Sequence, residues 1–133
     1  MNAMNMANAY KNQQIMTASP EELTLMLYNG AIRFTSESIL ALEQGDISKS
    51  HAANVRAQDI VREFMITLDM KIELSKNWMS LYDYIEYNLV QGNVKKDKTM
   101  LENAKGILSD MRDTWVEAMK QARQQRLQTA VGR

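Results

Sequence analysis

SPEELTLMLYNGAIRFTSESILALEQGD, Ser19 to Asp46, is the stretch on which the fold turns. It opens with a serine able to cap, a proline at the first helical position and a glutamate three residues after the cap, which together satisfy the orphaned first amides of a helix. At the far end Gly45 can take the left-handed conformation that closes a helix, and Asp46 can cap the next one. Nothing between them breaks the backbone, Pro20 being the only proline in the chain. The spacing predicts a first helix from Ser19/Pro20 to about Gln44.

Working outward, Ala53, Ala57, Ile60, Val61, Phe64 and Leu68 recur at threes and fours and line one stripe, which predicts a second helix from Asp46 to about Asp69. After a weaker break over Asp69 to Glu73, Leu74, Trp78, Leu81, Tyr82, Ile85 and Leu89 make a third, ending near Gly92-Asn93. Asp97 then caps a fourth, whose stripe runs from Met100 through Leu108, Met111 and Trp115 to Ala122. Short connections make consecutive helices antiparallel. The expected fold is all-α, an up-down-up-down four-helix bundle packed at about 20°, with an N-terminal segment lying over it. Residues 1–18 read as a flexible leading segment, 19–123 as the bundle domain, and 124–133, where the apolar period lapses, as a frayed tail.

The composition is consistent with one domain: 133 residues and 45% hydrophobic side chains can bury one core. Lysine plus arginine balance aspartate plus glutamate at 16 each, so no global field steers the chain toward nucleic acid or anionic lipid. The opening MNAMNMANAYKNQQ has neither the basic nor the apolar region of a secretory signal, and no apolar run of about 18 residues exists to insert in a membrane. A cytoplasmic location is the expectation.

Catalytic and metal chemistry find little support. Cysteine is absent and His51 is the only histidine, lying among Lys49, Ser50 and Asn54 without the Glu-x-x-His spacing of a di-iron bundle. It reads as a solvated surface histidine. There is no nucleophile elbow and no glycine-rich phosphate loop, so neither enzyme, metal nor cofactor is expected. Glu21 and Glu22 read as first-turn carboxylates, and Lys120, Arg123 and Arg126 as cations that favour a helix C-terminus.

One feature exceeds what a plain bundle needs. Projected at about 100° per residue, the first helix carries Leu23, Met26, Leu27, Gly30, Phe34 and Ala41 on one face and Leu25, Tyr28, Ile32 and Ile39 on the other. One face can close the core, and the other needs a cover or a partner. The expected binding groove is the Leu25/Tyr28/Ile32/Ile39 face, with Tyr84 and Tyr87, which project away from the third stripe, as further anchors. Tyr10 and Ile15 can cover it from the N-terminal side. A cover so placed is displaceable by a better amphipathic ligand, and the eleven methionines suit an adaptable surface.

TASPEELTLMLYNGAIRF (Thr17 to Phe34), AQDIV (Ala57 to Val61), Leu68-Asp69, LYDYI (Leu81 to Ile85) and RDTW (Arg112 to Trp115), taken in this order, resemble the flagellar secretion chaperone family FliS from Tyr10 to about Lys120. The resemblance implies a helical bundle that binds the disordered C-terminal segment of flagellin in the cytoplasm, prevents premature polymerisation and delivers it to the flagellar type III export apparatus. It also implies that Tyr10 and Ile15 cover the groove and contact the export gate component. The alternative is a helical adaptor that self-associates through the second face of the first helix, as a homodimer when unliganded.

Overall fold

The computed structural model describes residues 9, 12, 13 and 15–131. Four helices follow one another: α1 Pro20–Glu43, α2 Ile47–Thr67, α3 Leu74–Lys95 and α4 Lys98–Val131. Helical backbone also precedes α1 at residues 15–17, and no strand is present among the described residues. Each helix packs against two others, α1 on α2 and α4, and α3 on α2 and α4. Directions follow from single contacts. The Lys98 ammonium at the start of α4 sits 2.6 Å from the Glu43 carboxylate at the end of α1, and the Trp115 indole N–H donates to the Glu21 carbonyl at 3.1 Å. Asn54, early in α2, donates to the Leu89 carbonyl late in α3. The expected up-down-up-down bundle is therefore formed.

The helix ends are chemical. Ser19 Oγ accepts from the Glu22 N–H at 3.2 Å, with Pro20 in the first turn. Gly45 adopts φ +77°, its N–H donates to the Leu42 carbonyl and the Asp46 N–H to the Ala41 carbonyl, a paired closure that needs a left-handed residue. Asp46 Oδ1 then accepts from the Lys49 N–H and opens α2. Asp97 does the same for α4 through the Thr99 N–H.

Two boundaries differ from the sequence-based expectation. Gly92 does not end α3; the helix runs to Lys95 and Lys96 takes the left-handed conformation at φ 52°. Gly92 is buried instead where α3 crosses α4, and a β-carbon there would lie 2.8 Å from Leu101 Cδ2. Close approach, not chain reversal, is what this glycine serves. The second difference is α4, which continues to Val131. No glycine or proline occurs from Ile107 to Val131, and alanine, glutamine, arginine and leucine keep the helix where its apolar period lapses.

The core is layered along the bundle. Tyr28, Phe64 and Tyr82 stack at one end, with centroids 4.5 Å and 5.4 Å apart. Ile85, Leu89, Leu101, Ala104 and Leu108 fill the middle and the far end. Small side chains bring α1 and α2 together: Ser38 and Ser50 exchange hydroxyl-to-carbonyl hydrogen bonds at 2.9 Å and 2.8 Å. The buried Gln58 amide donates to Asn54 Oδ1 at 2.6 Å. Every buried side-chain polar atom among the described residues has a partner, as a stable interior demands.

Candidate functional site

The two apolar faces of α1 are exchanged relative to the sequence-based reading. Tyr28 is 2% exposed and Ile39 8%, both within the core, while Ile32 packs on the core cluster and Leu25 is half-buried. The physical reason lies in the neighbours of Tyr28. Ala31, Thr35 and Ser38 follow it at helical spacing and are fully buried, as is Ala41, the one member of the opposite face that turns inward, and such short side chains let α1 approach Ser50, Ala53 and Ala57 of α2 closely. This row of small residues is the signal that distinguishes the inner face.

The outer face of α1 forms one wall of a groove of about 690 Å³, lined by Leu23, Met26, Leu27, Gly30, Phe34 and, from α2, Ile60. Met26 is 37% exposed and Leu27 36%. Gly30 forms part of its wall, since a β-carbon there would already touch Ile60. The Arg33 and Arg56 guanidinium groups lie 4.9 Å and 5.5 Å from the Phe34 ring centroid, giving one end a cationic rim. Ile15, ahead of α1, lines the same groove. Tyr10 lies outside the described residues.

The structure does not bring Tyr84 and Tyr87 to this groove. Both are about half exposed on α3, which packs mainly on α2 and α4, and Tyr84 borders a shallow furrow against Glu102, Gly106 and Asp110 of α4. A second cleft, of about 550 Å³, opens at the bundle end between Leu68, Ile72, Leu74, Trp78 and Trp115. Tyr28 and Tyr82 line it, their hydroxyls 2.7 Å apart. Burial pushes both phenols above the ordinary tyrosine range, so they stay neutral and act as a structural clasp.

The groove and the cleft are both lined mainly by apolar side chains. Among the described residues no three histidine, cysteine or acidic side chains gather as a metal site, and His51 meets Asn93 at 2.9 Å in an exposed contact. No helix is long and apolar enough to cross a membrane.

Known proteins agree with this picture. The family profile described as "Flagellar protein FliS" matches residues 3–122. The chain is 39% identical over 126 residues to the flagellar secretion chaperone FliS of Bacillus subtilis, spanning 95% of both chains. It is 32% identical over 111 residues to that of Salmonella typhimurium, spanning 81% of this chain and 82% of the relative. A solved flagellar chaperone from bacteria superposes with a TM-score of 0.71 at 20% identity, covering 90% of this chain and 99% of that one, which is a likeness of fold. With the profile spanning residues 3–122 and a relative matched over 95% of both chains, the chain belongs to the FliS family of flagellar secretion chaperones, which are not enzymes.

Proposed function

We propose that this protein is a flagellin-specific export chaperone that holds the disordered C-terminal segment of flagellin in the cytoplasm, prevents its premature polymerisation and delivers it to the flagellar type III export apparatus. The observation that carries this reading is the α1/α2 groove, an apolar channel with Ile15 of the chain's own leading segment among its lining residues. A helix laid there by the ligand would bury apolar side chains at about 1.5–3 kcal/mol each, enough for two or three anchors to offset an ordering cost of about 2–5 kcal/mol. Residues 1–18 act as the cover that the ligand displaces, leaving Tyr10 and Ile15 free to meet the export gate component. A ligand that wraps the bundle would reach Tyr84 and Tyr87 on the outside of α3.

Calorimetric titration with a C-terminal flagellin peptide tests this. Tight one-to-one binding with a large negative heat-capacity change is expected. Leu27→Glu and Met26→Glu weaken it by about tenfold or more with the helical signal and melting temperature retained, because both side chains are partly exposed. Tyr28→Glu is the wrong probe, since it places a charge in the core. If the two groove variants fold and bind like the wild type, the ligand lies elsewhere. If the free protein stays dimeric in excess peptide, self-association is the function of this face.

A further inference from the structure

The final part of α4 has no bundle around it. Trp115 is level with Glu21 at the start of α1, Met119 and Ala122 are still partly buried, and α4 then continues from Arg123 to Val131, about 12 Å of helix at 1.5 Å per residue. Every residue from Arg123 to Val131 is exposed. A helix of this length without tertiary support is marginal in water.

Its chemistry is segregated. At about 100° per residue, Val116, Lys120, Arg123, Leu127 and Ala130 share one side, and Gln121, Gln124, Gln125 and Gln128 the opposite one. From Ala118 to Val131 there are Lys120, Arg123 and Arg126 and no carboxylate. The reading of these cations as dipole partners does not hold, because no basic residue falls in the last turn of α4 and the dipole effect fades beyond it. Leu127 is 60% exposed and Val116 42%, so cations and apolar side chains interleave on a largely exposed face.

We propose that this face of α4 is a docking surface, separate from the α1/α2 groove, for an acidic amphipathic helix of a protein partner. Carboxylates on the partner would pair with Lys120 and Arg123, while Leu127 and Val116 take its apolar stripe, and the pairing would give the arm the support it lacks. Two cations on this face, with Arg126 to one side and no aromatic anchor, fall short of the clusters of about four to eight that recognise anionic lipid, which favours a protein over a membrane surface.

The test uses the full chain and two synthetic amphipathic peptides with the same leucine stripe, one flanked by glutamates and the other by lysines. Fluorescence anisotropy is expected to give about tenfold preference for the glutamate peptide, falling as salt is raised. The triple variant K120E/R123E/R126E reverses the preference, Leu127→Ser weakens binding, and Leu27→Glu in the groove leaves it unchanged. Amide exchange over residues 120–131 slows when the glutamate peptide is added. The proposal is overturned if the two peptides bind alike, if charge reversal has no effect, or if Leu27→Glu abolishes binding. It is equally overturned if the arm responds only to phosphatidylserine-containing vesicles or only to a second copy of the chain.

Discussion

Substituting alanine at two mid-helix glycines, Gly92 and Gly106, gives opposite outcomes from the same chemical change. Neither glycine has a positive φ, so alanine fits both backbones and each substitution gains about 1 kcal/mol of helix propensity. At Gly106 the new methyl meets nothing within 4 Å, and the gain is kept. At Gly92 it would lie 2.8 Å from Leu101 Cδ2 and 3.2 Å from both Leu101 Cγ and Met100 Cβ. Leu101 is 1% exposed, so it has no open side to turn to, and overpacking of this kind costs about 1–3 kcal/mol. Gly106→Ala should thus stabilise by about 1 kcal/mol, and Gly92→Ala destabilise by about 1 kcal/mol, and up to about 2. Urea titrations followed by circular dichroism would separate the two, as would melting temperatures, at about 3–5 °C per kcal/mol for a chain of this size. If Gly92→Ala proves as stable as Gly106→Ala, Leu101 has stepped aside and the tight α3–α4 crossing described above is refuted.

Each hydroxyl of the Ser38–Ser50 pair donates to the other's backbone carbonyl, so Ser50→Ala removes one bond at a cost of about 1 kcal/mol and leaves the Ser38 hydroxyl its carbonyl partner, and only the direct Oγ–Oγ contact at 3.0 Å should couple the two sites in a double-mutant cycle. Strict additivity of the two losses would argue against the direct hydroxyl–hydroxyl contact. The tyrosine clasp predicts alkaline sensitivity. Folded-state values raised by burial mean that the native protein retains protons which the unfolded chain releases, so the pair leaves stability unchanged below about pH 10 and lowers it as pH rises further. Phenolate absorbance should show Tyr28 and Tyr82 ionising together with loss of helix. All tyrosines titrating in the ordinary range with the helices intact would contradict their burial.

How much of this was legible before folding can be argued from particular residues. Gly45 carries its meaning in the sequence because a left-handed closure followed by the Asp46 cap is local chemistry, complete within nine residues from Ala41 to Lys49. Gly92 does not, because the reason for it is Leu101 on another helix. Ile15, expected to lie over the Leu25/Tyr28/Ile32/Ile39 face, instead lines the groove formed by the opposite face of α1. The missed signal was the row Ala31, Thr35, Ser38 and Ala41, whose smallness reads as polarity or propensity until α2 is laid against it.

The sequence by itself determined the four helices, the caps at Ser19, Gly45-Asp46 and Asp97, their order and their antiparallel succession, since caps, apolar periodicity and short connections act within a few residues of the chain. Which face of α1 turns inward, why Gly92 lies inside a helix, and where α4 outruns its neighbours were decided by the tertiary structure alone. Two apolar faces of one helix are nearly equivalent in hydrophobic free energy. Only the closeness with which Ala31 and Ser38 admit α2, and the stacking of Tyr28 on Phe64, separate them.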